Sequence, residues 1–251
     1  MLTTHPINGN GLVHSECPSC ARPAYNFFCF LAGQERRLFE SLKITKKYPR
    51  QKILFVQGQP AVGVYILCAG RVKLSTCSPG GKVIILEIAE PGAVLGIIAV
   101  LAGTEYSVTA EAIEDCQVNF VQSESFVNYL RQNPEAALSA ARQLAHSCHR
   151  AQRMICSFGL ADSVIVKLSK LFLSWSTNTH AIHGSLRVKN AFTHEDMARM
   201  IGSTRETVTR ALRQMRERGL VTVKGHEVLI HNHNELCRTA GLKPGDTLPV
   251  Q

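Results

Sequence analysis

No apolar stretch in this 251-residue chain approaches the ~18 residues needed to span a membrane. The start, MLTTHPINGNGLVHSECPSC, lacks the basic head and apolar run of a secretory signal. Both absences point to a cytoplasmic protein with no membrane partner. No Ser/His/Asp set, paired carboxylates or phosphate-binding loop stands out, so nothing supports catalysis and the chain is read as a non-enzyme. Concentrated charge is also missing. The net +9 suggests a polyanionic partner, nucleic acid first, but residues 1–50 carry +4, 51–122 −2, 123–184 +3 and 185–251 +4.

What is present is a globular composition, 45% hydrophobic and 19% charged, in a length suited to one large domain or two small ones. Nine cysteines accompany it. In a reducing compartment such residues serve as buried small hydrophobes, metal ligands or redox groups rather than as disulfides. Three fall in residues 1–32, at Cys17, Cys20 and Cys29, within a Gly-, Asn- and Pro-containing segment too polar to fold without a ligand or a surface to lie on.

From Ile53 to Val121 short β-rich runs (VYILC, RVKLSTC, KVIILEI, SVTAEAI, CQVNFV) are broken at Gly70, Pro79-Gly80-Gly81 and Pro91-Gly92. That texture predicts an antiparallel sandwich or barrel. Arg71, Lys73 and Ser75 alternate with Val72, Leu74 and Thr76, the pattern of a strand with one wet face. After Val121 the period becomes helical. Pro134 suits the first position of a helix running to about Phe158, in which Leu138, Ala141, Ala145, Cys148, Gln152 and Ile155 are spaced by three and four. Spacing alone fits either a coiled-coil seam or a helix packed on its own sheet. A third helix, Asp162 to Trp175, places Val164, Ile165, Leu168, Leu171, Phe172 and Trp175 on one face.

Residues 193–219 carry the most specific local pattern. Thr193 can cap a helix whose first turn holds Glu195 and Asp196, and Gly202 ends it. Ser203 is then expected to cap a second helix after a turn of about three residues, a helix-turn-helix. Val208, Ala211, Leu212 and Met215 face the core, leaving Arg205, Glu206, Thr209, Arg210 and Arg213 outward. Arginine can donate two hydrogen bonds to guanine and glutamate can accept one from cytosine, so this face suits a major groove, with Arg213 and Arg216 nearer the phosphates. The alternative is a capping box in which Glu206 returns to the Ser203 amide. Leu220–Val223 and Val228–Ile230 around Lys224-Gly225-His226 read as a hairpin wing beside the helices.

TRETVTRALRQMRERGLV, followed by VKGHEVLIHNHNELCRTAG, resembles the C-terminal domain of the CRP/FNR transcription regulators, and the tail is similar to the FNR branch. The resemblance extends over nearly everything after residue 33. It implies an α+β chain in four parts: a cysteine-containing segment (1–32), a β jelly-roll sensor of the cyclic-nucleotide-binding type (33–122), a dimerisation helix region (123–158) and a C-terminal winged helix-turn-helix (159–251). It further implies a homodimer, an inverted-repeat operator in double-stranded DNA and contact with RNA polymerase. Arg205, Glu206 and Arg210 match the base-reading positions. Arg205 is like the CRP branch and Thr209 closer to the FNR serine, so the half-site is TGTGA-like, TTGAT-like or intermediate.

In the family's cyclic-AMP binders a glutamate contacts the ribose and an arginine holds the phosphate. The matching stretch, VLGIIAVLAGTEYSVTA, has Ile97 and Tyr106 at those places. A buried phosphate would lack its cation, so no cyclic AMP is expected. The FNR oxygen sensors hold a [4Fe-4S] cluster, and Cys17, Cys20, Cys29 and Cys116 offer a matching ligand set, with eight residues between Cys20 and Cys29 where the best-known members have five. The resemblance therefore implies a response to oxygen or nitric oxide through a cluster that controls dimerisation and DNA affinity. Zinc, a thiol switch, haem on Met1, His5 or His14, and an organic ligand in the roll remain alternatives, as does an electron carrier, which would leave the C-terminal module unexplained. Cys68, Cys77, Cys148, Cys156 and Cys237 are expected to be buried.

Overall fold

Strong turn signals between the β-rich runs leave no room for crossover helices, and the strands pair antiparallel throughout. The computed structural model describes residues 33–159, 161, 163–176, 181–182, 185–189, 192–225 and 227–243. Helix α1 (Gly33–Leu42) leads into β1 (Ile44–Tyr48), β2 (Ile53–Phe55), β3 (Gly63–Ala69), β4 (Val72–Cys77), β5 (Val83–Ala89), β6 (Val94–Leu95), the short α2 (Ile97–Ala102), β7 (Thr109–Ala112) and β8 (Cys116–Gln122). One sheet has the order β1-β8-β3-β6 and the other β2-β7-β4-β5, which makes the roll.

The all-apolar run of β3 follows from its being covered on both sides. Tyr65 and Leu67 point between the sheets with Val72, Leu95, Ala110 and Val118. Val64 and Ile66 point the other way, onto Phe39, Phe126 and Tyr129. A Cβ on Gly63 would strike the Val121 carbonyl and the Phe120 ring, so the β3–β8 pairing requires glycine there. Strand β4 departs from its expected alternation. The register with β5 shifts between Leu74 and Ser75, so Ser75 turns inward and is buried rather than wet. Lys73 stays partly covered because it pairs with Glu111 at 2.9 Å.

Helix α3 (Ser123–Gln132) is followed by α4 (Pro134–Gly159), which begins at the proline as expected. Ala136 and Ala140 pack onto the roll. The six heptad-spaced residues from Leu138 to Ile155 all lie on an exposed face, with Ile155 71% exposed, so they are not the residues that hold α4 to its own sheet. The same geometry corrects part of the cysteine expectation. Cys68 and Cys237 are buried, but Cys77 ends β4 beside an exposed turn, and Cys148 and Cys156 are exposed on α4.

The C-terminal part comprises α5 (Val164–Ser176), β9 (Ala181–Ile182), β10 (Ser185–Lys189), α6 (His194–Ile201), α7 (Arg205–Glu217), β11 (Val221–Lys224), β12 (Glu227–Ile230) and α8 (His233–Thr239). β11 and β12 form the expected hairpin, and β10 and β9 extend it to a sheet ordered β11-β12-β10-β9. Leu168, Leu171, Phe172, Met197, Met215 and Leu236 fill one core, to which β5 of the roll contributes Ile85 and Ile88. That shared cluster joins the two parts. The architecture is thus a β-sandwich roll with a C-terminal winged helix-turn-helix, as the sequence predicts.

Candidate nucleic-acid interface and sensor cavity

The two helices that would meet DNA are each defined by a threonine cap. Thr193 accepts from the Asp196 amide at 3.1 Å while the Asp196 carboxylate accepts from the Thr193 amide at 3.0 Å, a reciprocal box that satisfies two end groups of α6. Gly202 then ends α6 in the left-handed region. The cap of α7 is Thr204, not Ser203, and it accepts from the Thr207 amide at 3.3 Å. The shift of one residue removes the capping box proposed for Glu206, because the residue three beyond the cap is now Thr207. The Glu206 side chain is exposed and has no hydrogen-bond partner among the described residues. Thr204→Ala is expected to cost ~1 kcal/mol of stability, read as a lower thermal midpoint, without altering which operator is preferred.

Val208, Ala211, Leu212 and Met215 are buried, and Arg205, Glu206, Thr209, Arg210 and Arg213 lie on the opposite, exposed face. They are not equivalent. Arg210 makes only a long contact, 3.5 Å, to Thr207, so its guanidinium is available. Thr209 donates to the Arg205 carbonyl at 2.8 Å and contacts the His194 ring at 3.0 Å, so its hydroxyl locks α7 to α6 before any base is met. Arg213 is paired with Glu217 one turn on, at 2.9 Å, which suits a phosphate contact better than a base contact. His194 was invisible to a sequence reading because its partner lies across the turn.

In the roll, Tyr106 is buried where the family resemblance expects an arginine in a cyclic-nucleotide binder. Its hydroxyl donates to the Gly63 carbonyl at 2.6 Å and accepts from the Gly63 amide at 3.2 Å, and its ring stacks on Phe55 with centroids 4.1 Å apart. Gly96, with φ +80, permits the close passage of this ring. Ile97, at the glutamate position, is buried and apolar. These residues line part of a cavity of about 970 Å³ that runs from the roll past α4 to α5 and α6. Its charged lining residues are Glu87, Arg150, Arg153 and Lys170, and Glu87 pairs with Arg150 at 2.8 Å. The sequence reading missed Arg150 and Arg153 because they fall outside the heptad spacing of α4, and Glu87 and Lys170 because they reach the cavity from other elements.

Cys116 opens β8. Its thiol donates toward the carbonyls of Arg71 at 3.3 Å and Glu114 at 3.2 Å. Burial pushes the thiol pKa up, so the proton is retained. Gly70, with φ +81, leaves room for this sulfur, since a Cβ there would press on it. The Arg71 side chain pairs with Glu114 and also lies over Phe192 of the C-terminal part, 5.9 Å from the ring centroid. Cys17, Cys20, Cys29, Met1, His5 and His14 lie outside the described residues. Among the described residues no three His, Cys, Asp or Glu side chains gather at a metal-binding spacing, and no helix is long and apolar enough to cross a membrane.

Residues 45–133 match the family model of the cyclic nucleotide-binding domain, and residues 166–239 match that of the Crp-like helix-turn-helix domain. A CRP-like cAMP-activated global transcriptional regulator of Mycobacterium tuberculosis is 26% identical over 196 residues, 77% of this chain and 86% of that one. A global nitrogen regulator of Nostoc sp. is 26% identical over 197 residues, 78% of this chain and 88% of its own length. Among solved structures, a CRP-family transcriptional regulator from Thermus thermophilus superposes with a TM-score of 0.66 at 26% identity, over 79% of this chain and 97% of that one. With a roll of the first type, a helix-turn-helix of the second and regulators as relatives over most of both, the chain belongs to the CRP/FNR family of DNA-binding transcription regulators and is not an enzyme.

Proposed function

We propose that the protein works in the cytoplasm as a homodimer that reads an inverted-repeat operator and acts on RNA polymerase. The observation that carries this reading is the face of α7, where Arg205, Glu206 and Arg210 stand exposed on a capped helix whose other side is core. The uncovered seam of α4, with Leu138 and Ile155 among its exposed apolar residues, supports the dimer. Selection of bound duplexes from a random pool tests both halves. A palindrome with half-sites about one helical turn apart, ~34 Å, is expected, and a non-symmetric or absent consensus refutes the reading. Ile155→Glu should shift the protein to monomer by light scattering.

For the signal, we infer oxygen or nitric oxide sensing through a [4Fe-4S] cluster on Cys17, Cys20, Cys29 and Cys116. Four soft thiols suit the group in kind. Cys116 meets it at a cost, since ligation has to remove the proton that burial now retains. A cluster there would supply reactivity toward oxygen or nitric oxide. The chain's own residues supply the relay: the Cys116 thiol rests on the Arg71 carbonyl, and the Arg71 side chain touches Phe192, so a change at the sulfur is two contacts from the DNA-binding part. Protein purified without air should contain iron and sulfide and lose operator affinity on exposure to air. Iron-free protein with full affinity rules the cluster out, and zinc in its place points to the structural alternative.

The relative from M. tuberculosis is named as cAMP-activated. Tyr106 and Ile97 argue against that ligand in this chain, because neither can pair with a cyclic phosphate or a ribose as the family's arginine and glutamate do. The size and apolar character of the cavity favour a second input by an organic ligand of another class.

A further inference from the structure

We propose that His194 is a positioning residue for base readout: it holds Thr209 with the hydroxyl committed inside the protein, and the Thr209 methyl then recognises the 5-methyl group of a thymine in the major groove. This deepens the reading of α7 as the helix that meets DNA and rests on it. Thr209 is exposed at the centre of the outward face, one turn after Arg205 and Glu206 and one turn before Arg213. Its hydroxyl has a single proton, which goes to the Arg205 carbonyl at 2.8 Å. In the contact with His194, at 3.0 Å, the oxygen therefore accepts and the ring Nδ1 donates. The part of the side chain left without a polar partner is the methyl.

His194 matters because the helix alone does not fix the threonine. Oγ1 of a helical threonine can bond a carbonyl of the preceding turn from either of two rotamers. A donor held across the turn meets the oxygen in one of them. His194 is such a donor: it is the first residue of α6, directly after the Thr193 cap whose reciprocal bonds with Asp196 set the start of that helix. The rotamer is thus chosen before DNA arrives, which removes that ordering cost from binding.

The committed hydroxyl also decides which base suits the site. With its proton spent, it has nothing to donate to the acceptors of guanine or to thymine O4. Its oxygen lies between an imidazole and a backbone carbonyl, which leaves an adenine or cytosine amino group a crowded approach. Thymine alone presents a methyl in the major groove, and a threonine methyl is a partner of the right kind. No polar group is stranded when the two methyls meet, because the hydroxyl keeps its protein partners. Serine, which the FNR branch has at this place, offers no methyl, so this contact depends on threonine itself.

The test uses the full chain and the duplex selected from the random pool, with each thymine replaced in turn by deoxyuridine, which removes the base methyl and nothing else. At one thymine of each half-site the replacement should weaken binding about fourfold, the factor expected for one buried carbon group. Thr209→Ser should abolish that loss, and Thr209→Val, which keeps a methyl and drops the hydroxyl, should preserve it. His194→Ala should cut the loss to about twofold by freeing the second rotamer, while His194→Asn, which keeps a donor near the place of Nδ1, should restore it. A protein that merely lost stability would bind all duplexes more weakly and would not change the ratio between thymine and uracil. The comparison of the two bases on the unaltered protein needs no variant to fold, and an absence of any loss there overturns the contact. So does a loss that survives Thr209→Ser, or one that Thr209→Ser keeps and Thr209→Val removes, which marks readout by the hydroxyl. An unchanged ratio in His194→Ala overturns the positioning role. Failure to select any duplex sinks the regulator reading and the contact together, whereas a selected duplex with no thymine that depends on residue 209 sinks the contact alone.

Discussion

Phe172→Ala should cost the DNA-binding part ~3 to 5 kcal/mol, enough to unfold it near physiological temperature while the roll stays folded. Phe172 is fully buried in α5 and packs against Trp175, with ring centroids 5.6 Å apart. Trp175 in turn lies 5.3 Å from Phe192. Because the chain has one tryptophan, its fluorescence reports on this module alone. The variant should show a red-shifted emission, a separate low-temperature unfolding step and loss of operator binding. A single cooperative transition close to that of the unaltered protein would mean that the core relaxes around the cavity, against the packing seen.

Arg210→Ala should weaken operator binding by ~1 to 3 kcal/mol, and should relax the base preference at one position of each half-site. Its guanidinium is exposed at the middle of α7, with only a long contact to Thr207. Arg213→Ala should do less. Arg213 is already committed to Glu217, and taking away a phosphate partner there weakens all sequences alike, lowering the salt slope by about one. Competition titrations against half-site variants at two salt concentrations distinguish the two. An Arg210→Ala protein with unchanged sequence preference would show that this residue touches the backbone only.

These expectations draw on very different depths of sequence signal. The buried stripe of α7 follows from i, i+3, i+4, i+7 spacing, which belongs to the helix itself and needs no neighbours. The cap of α7 falls on Thr204, one residue past the expected Ser203, because both side chains are competent caps and the local sequence does not choose between them. Ser75 is buried where alternation predicts a wet residue, because a bulge has no signature in a run of alternating residues and exists only once a partner strand sets the register. Cysteine is usually buried, yet Cys77, Cys148 and Cys156 are exposed, because a strand end and the uncovered positions of α4 override that tendency.

The sequence by itself determined the β-rich roll, the long helix after it, the helix-turn-helix with its wing and the residues on the outward face of α7. Local period, caps and turn residues encode those features within a few positions of one another. Only the tertiary structure decided what meets across the chain. It stacks Tyr106 on Phe55, rests the Cys116 thiol on Arg71, carries Arg71 to Phe192, and turns Arg150 toward Glu87 in a cavity bounded by all three parts. The partners in these pairs lie far apart along the chain, and no spacing rule spans that distance. Such pairs are set by how apolar faces bury one another, so the surroundings of Tyr106 and Cys116 are defined by the folded chain, whereas the outward face of α7 is already written in a short run of consecutive residues.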